Sequence, residues 1–119
     1  MDGNEFRDWS LRAAEWGADY RETLRDRPVR PSTEPGEIFR AIEASPPEDG
    51  EPMEKIFADF EATIVPGMTH WQHPRFFAYF PANAAPVSVV AEYLVSAMAA
   101  QCMLWQTSPA ATELELRII

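Results

Sequence analysis

The chain has one cysteine, one lysine, two histidines and five glycines in 119 residues, and each scarcity closes a route. Cys102 alone cannot form an intrachain disulfide, and no basic stretch followed by an apolar one opens the sequence as a secretory leader would. Both features suit a reducing cytoplasm. The scattered glycines form no G-x-G or GK[ST] pattern, so no loop is built to cradle a phosphate. His70 and His73, spaced H-W-Q-H, could share a face toward a metal. A zinc site needs a third or fourth ligand, and none stands near, so loop hydrogen bonding is the expected role and no metal site is assigned. Lys55 is the only amine able to form a Schiff base with a carbonyl. It follows Glu54 on the charged side of an amphipathic pattern, with Asp59 four residues on, and reads as a surface ion pair.

Positive charge is also scarce. Ten bases against 19 acids leave a net charge of −9 and a pI near 4.6, which excludes phosphate backbones and anionic membranes as natural partners. The imbalance lies in the first half: Met1 to Pro66 carries 16 acids and 8 bases, Gly67 to Ile119 only three and two. In the first half acids alternate with Arg as on a solvated helix face. From Phe76 to Thr112 the only charge is Glu92. Asn83, Pro86, Gln101, Gln106 and Pro109 interrupt that run and no basic flank marks an inside end, so it is expected to be buried in protein and not to span a bilayer.

What is present is helical patterning. Phe6, Trp9, Ala13, Trp16, Tyr20 and Leu24 recur at steps of three and four and predict a helix from about Asn4 to Arg27, ended by Pro28 and Pro31. Ile38 and Ile42 mark a short helix over Glu37 to Ala44, and Ser45 to Gly50 breaks the chain again. A third helix begins near Pro52, with Met53, Ile56, Phe57, Phe60 and Ile64 as its stripe, and closes at Pro66-Gly67. Pro86 opens a fourth, apolar on nearly all sides. Ser108-Pro109 reads as the cap and first residue of a fifth. No strand, repeat or low-complexity segment is evident. The fold class is mainly α.

Three amphipathic helices cannot surround an all-apolar helix while covering their own stripes, so part of its cover is expected in further sequence or in a partner chain. Cys102 lies in this apolar part, where an inert buried thiol is the expected state. Glu113 and Glu115 near the start of the fifth helix are expected to complement its dipole.

Between the third and fourth helices lies W-Q-H-P-R-F-F-A-Y-F, with six aromatics or imidazoles in ten residues (Trp71 to Phe80). By composition it is packing first and a wall for a planar ligand second.

Here a resemblance enters. P-G-M-T-H-W-Q-H-P-R-F-F-A-Y-F-P (Pro66 to Pro81) is similar to the signature loop of group II pyridoxal-phosphate decarboxylases, the aromatic-L-amino-acid decarboxylase family. W-Q-T-S-P-A-A-T-E-L-E (Trp105 to Glu115) resembles a second block at the right separation, and E-P-G-E-I-F-R (Glu34 to Arg40) also fits. The resemblance implies a helical N-terminal arm over residues 1–82 that wraps a second subunit of a homodimer. Residues 83–119 would begin a fold-type-I (α/β) large domain whose remainder lies beyond Ile119. It implies that Trp71, Tyr79, Phe80 and Pro81 contact the aromatic side chain of an amino-acid substrate, and that Gln101 and Met103 approach the pocket of the neighbouring subunit.

The cofactor implied is pyridoxal 5′-phosphate. The small residues holding its phosphate, the His on its ring, the Asp at its pyridine nitrogen and the His-Lys motif would all lie beyond Ile119, leaving no catalytic or cofactor-binding residue here. Animal members often carry a hydroxyl residue after the F-P pair. Here Ala82 and Asn83 stand there, which opens the substrate question. The expected function is the N-terminal part of a carboxy-lyase acting on an aromatic L-amino acid, inactive alone. The alternative is a stand-alone helical dimerisation module without catalysis.

Overall fold

Helix formation begins at the second residue. In the computed structural model, which describes residues 1–80 and 84–119, Asp2 accepts hydrogen bonds from Asn4 N (2.8 Å) and Glu5 N (2.9 Å), while Glu5 Oε2 accepts from Asp2 N (2.8 Å). This reciprocal capping box starts α1, Gly3–Thr23. The helix was predicted to reach Arg27. It tightens instead into a 3₁₀ turn, Leu24–Asp26, closed by Arg27 N on Leu24 O at 3.2 Å. Pro28 has no N–H for the Leu24 carbonyl, so the wider bond cannot form.

The described residues fall into two compact units, Met1–Ala82 and Asn83–Ile119. In the first, the α1 stripe meets α3, Met53–Asp59, through aromatic rings. Trp9 lies 5.4 Å from Phe57, and Trp16 stands edge-on to Phe60 at 4.9 Å. Phe57 and Phe60 are 5.8 Å apart, and Trp16 stacks on Tyr20 at 5.3 Å. Arg12 covers the outer end of this ladder. Its guanidinium sits 4.7 Å above Trp9 and 5.1 Å above Phe57, and it pairs with Glu54 at 2.7 Å. The pair is exposed, so its contribution is small beside that of the rings it orders.

Pro52 caps α3 from outside in an extended conformation. After Asp59 the helix widens into a π turn, Phe60–Ile64, with Val65 N bonded to Phe60 O, and then narrows into a 3₁₀ turn, Val65–Gly67. Pro66 explains the widening: its ring would strike the carbonyl four residues back and it has no N–H to offer. The predicted stripe therefore divides. Phe57 and Phe60 face α1, while Ile56 and Ile64 remain exposed.

α2, Glu37–Ala41, is three residues shorter than predicted, because Ile42 turns extended on the approach to Ser45-Pro46-Pro47. Gly36 begins α2 at φ 83°, a left-handed conformation natural only to glycine. α2 touches the π turn, and Ile38 lies over Gly67 so closely that a Cβ there would stand 2.9 Å from Ile38 Cδ1.

The second unit holds α4, Pro86–Met98, and α5, Pro109–Ile118. α4 ends on Ala99 at φ 49°, where helices usually place glycine. Ser108 takes the N-cap position of α5 as predicted, but its side chain makes no capping bond. Its carbonyl accepts from both N and Oγ1 of Thr112, each at 3.1 Å. Nor is Glu113 simply a dipole complement, since its carboxylate accepts from Trp105 Nε1 at 2.9 Å. That bond ties the turn before α5 onto the helix.

No strand occurs among the described residues, so the fold is mainly α there. Leu24 is the one apolar residue among them that is buried, at 7% exposure. Within the second unit the expected burial of the apolar stretch is not found among the described residues: Val87, Val90, Leu94 and Met98 are exposed, and so is Cys102, against expectation. No described helix is long and apolar enough to cross a membrane. The accessible surface is 10191 Å² for 13.5 kDa.

Gly67→Val should destabilise the first unit by about 1–3 kcal/mol in denaturant unfolding, with part recovered when Ile38 is shortened to Val in the same chain. Ala99→Gly should stabilise α4 by roughly 0.5–1 kcal/mol, because it removes a left-handed alanine, read as a higher midpoint for helix loss.

Candidate functional site: an aromatic wall on a loop held by two histidines

The segment from Met68 to Phe80 has no helical or strand ladder to order it. Two histidines do so. His70 and His73 are 5% and 3% exposed, the most buried polar residues described. His70 Nδ1 lies 2.8 Å from the Tyr20 hydroxyl and its ring 5.5 Å from the Tyr20 ring, at the inner end of the aromatic ladder. Its backbone N donates to Val29 O at 3.0 Å. His73 Nε2 donates to Arg25 O at 3.2 Å, and His73 Nδ1 accepts from Arg75 N at 3.0 Å, which together select the Nε2–H tautomer. Each such bond is worth about 1 kcal/mol net, and losing one partner in a buried site costs more.

The expected loop hydrogen bonding of the histidines is therefore what the structure contains, and no cluster of three or more potential metal ligands occurs among the described residues. Burial pushes the His70 imidazole below its usual range of about 6.5, helped by the nearby charges of Arg27 and His73. Burial raises the Tyr20 phenol, against an opposing pull from Arg27, whose guanidinium lies 5.0 Å from the Tyr20 ring. Arg27 Nε is buried with no hydrogen-bond partner.

Between and beyond these anchors the loop turns its rings outward. Trp71 lies 4.8 Å from Phe76 and stacks on Tyr79 at 5.8 Å, with planes 26° apart. Tyr79 holds φ 53°, a conformation in which an aromatic residue is strained. Phe80 beside it is 90% exposed. The geometry is a flat, water-facing π surface on a fixed loop, suited to stacking a planar group.

Of the residues singled out in the sequence, Trp71 and Tyr79 are thus brought together and Phe80 is adjacent in the chain. Pro81 lies outside the described residues, as do Ala82 and Asn83. Gln101 and Met103 belong to the second unit, exposed in the segment between α4 and α5. Lys55 is a surface charge as expected, but its partner is Glu51, one turn back, and not Asp59. The Glu51 hydrogen bond is the main cause that holds its ammonium above the usual lysine range.

Phe76, one of the rings of the wall expected from the sequence, is the third ring of the stack, whereas Tyr20 and Arg27 as partners of the loop are not legible in the sequence. The only signal for Tyr20 was its place on the α1 stripe. A cavity of about 630 Å³ lies elsewhere in the first unit, between the segment Ala41–Pro47 and the outer side of α3, lined by Ile42, Ile56, Phe60 and Ile64 with Lys55 and Glu51 at its edge. It is open to solvent and apart from the aromatic wall. Chemistry selects the wall over this groove, because its groups are aimed and held.

Comparison with known proteins adds a second line. Residues 35–119 match the family model described as the pyridoxal-dependent decarboxylase conserved domain. The chain is 41% identical over 117 residues to aromatic-L-amino-acid decarboxylase of Manduca sexta, covering 98% of this chain and 23% of that protein. Among solved structures it is similar to tryptophan decarboxylase of Catharanthus roseus in complex with L-tryptophan, with a TM-score of 0.91, 36% identity, and 99% and 25% of the two chains covered. It is also similar to 4-hydroxyphenylacetaldehyde synthase of Rhodiola rosea, with a TM-score of 0.88, 41% identity, and 97% and 25% covered. The chain spans about a quarter or less of the length of the curated relatives it matches.

Removing the Tyr79 ring (Tyr79→Ala) should abolish the near-UV circular dichroism of the Trp71 stack and cost about 0.5–1.5 kcal/mol, while Tyr79→Phe should keep both. Tyr79→Ile should be worse than either, because a β-branched residue tolerates φ 53° least.

Proposed function

The chain belongs to the pyridoxal-dependent decarboxylase family, and we propose that it forms the N-terminal part of a carboxy-lyase that removes carbon dioxide from an aromatic L-amino acid. In this reading residues 1–82 are a helical arm that dimerises with a second copy, and residues 83–119 begin the cofactor-bearing domain. The observation that carries it is the Trp71–Tyr79 stack with exposed Phe80 on the histidine-held loop. A flat apolar face is what an indole, phenol or catechol ring requires. The relative solved with L-tryptophan supports an aromatic substrate, and the acidic surface suits no nucleic acid partner.

The family's cofactor is pyridoxal phosphate, which two Oryza sativa TDC structures similar to this chain contain. The one lysine here does not fit it. Lys55 is exposed on α3 with its ammonium held by Glu51, and a protonated, ion-paired amine is no nucleophile. The contribution of these residues is therefore binding and shape: they orient the substrate ring and exclude water from one side of it.

A second reading, a stand-alone helical module that dimerises, draws on the exposed apolar faces of α4. The two separate in one assay. The chain alone, mixed with pyridoxal phosphate and an aromatic amino acid, should show neither an imine absorbance nor release of carbon dioxide. The complete polypeptide that carries it should show both. In that polypeptide Trp71→Ala should raise KM about tenfold, equal to about 1.4 kcal/mol of ring stacking, with a smaller change in kcat. A complete polypeptide with no turnover of any aromatic amino acid would leave the module reading.

A further inference from the structure

The loop that carries the aromatic wall is fastened to α1 by a titratable group in a setting hostile to its charged form. His70 is 5% exposed, with its Nδ1 on the Tyr20 hydroxyl at 2.8 Å. The charged and titratable groups that bear on it are Tyr20 from α1, Arg27 from the segment behind the 3₁₀ turn, and His73 from its own loop. None of these is an acid that could balance an imidazolium. Arg27 lies over the same Tyr20 ring, so its positive charge is fixed close by. Its buried Nε has no partner, so the closed arrangement already holds an unsatisfied donor that opening to water would relieve.

We propose that the Tyr20–His70 contact is a pH-operated latch, which holds the loop of Trp71 and Tyr79 against the end of α1 when His70 is neutral and frees it when His70 takes up a proton. The hydroxyl of Tyr20 can rotate to accept from a protonated Nδ1, so loss of that one hydrogen bond is not the cause. The cause is an imidazolium buried beside Arg27 with no counter-ion. Trp71 follows His70 directly and stacks on Tyr79, so movement of the His70 ring is transmitted to the wall.

The direction in pH follows from linkage. The free loop binds a proton near the ordinary histidine value of 6.5, and the latched loop only below it, because burial and Arg27 oppose the charge. The proton-linked stabilisation of the latch is fully present above the free-loop value of about 6.5 and is lost as pH falls through it. As pH falls below that value the ratio of released to latched loop rises by up to tenfold per pH unit, until the latched form also protonates. The latch stands on this geometry whether or not the proposed enzymatic role is correct.

The test is a proton NMR titration of the two histidines from pH 8 to 5, run beside near-UV circular dichroism of the Trp71–Tyr79 stack on the same chain. One histidine should titrate below 6.5 with the near-UV signal falling in step, while far-UV helicity is kept. Arg27→Gln should move that midpoint up toward 6.5, a response that a merely structural arginine would not give. His70→Asn, whose side-chain oxygen can accept from Tyr20 without titrating, should hold the near-UV signal flat to pH 5. The latch is overturned by a His70 midpoint at or above 6.5, by a near-UV signal indifferent to His70 protonation, or by a transition that persists in His70→Asn. If that variant fails to fold, the wild-type titration and the Arg27→Gln shift still decide.

Discussion

Two buried imidazoles fix a long segment of the first unit that has no regular structure to order it. His73 spans from the Arg25 carbonyl to the Arg75 N–H, and His70 joins Tyr20 to the loop, so a segment without regular structure is fixed to the end of a 21-residue helix. The aromatic ladder converges on the same place. Trp9, Phe57, Phe60, Trp16 and Tyr20 pass contact along α1 to the His70 ring. Rings suit this task because they make much contact area with few torsions to freeze.

Helices of five and seven residues do not persist alone in water, so α2 and α3 depend on what they touch. α3 has the ladder and Arg12. α2 has the close seat of Ile38 on Gly67, where a side chain would intrude. α4 has no comparable cover within its own unit, where its valines, leucine and methionine are exposed. The first unit is organised but thinly buried, and in the second the apolar side chains of α4 are exposed.

Much of the site could be read from residue types. The density of rings from Trp71 to Phe80 marked the loop, and the neighbours of His70 and His73 pointed to loop hydrogen bonding. What escaped was pairing over distance. Tyr20 and His70 are 50 positions apart, and nothing in the α1 stripe distinguishes the tyrosine that meets a histidine from the tryptophans that meet phenylalanines. Lys55 was correctly read as a surface charge with the wrong partner, since Glu51 and Asp59 stand at equal spacing on either side and only the conformation of the turn before α3 chooses between them. Ser108 failed as a side-chain cap for a similar reason: the Thr112 hydroxyl and the Trp105–Glu113 bond organise that helix start instead.

The sequence by itself determined where helices begin, because prolines, glycine and capping acids act within a turn or two of themselves; where they stop was legible only to within a turn. Pro28, Pro52, Pro86 and Pro109 each stand at or next to a boundary, and Asp2 with Glu5 starts α1. It also determined the helical class and the stacking surface, which follow from composition and short spacing. Only the tertiary structure decided which way the histidines point, that Trp71, Phe76 and Tyr79 share one face, and that the α3 stripe splits at the π turn. Those outcomes depend on contacts between residues far apart in the chain, whose closure no local propensity encodes.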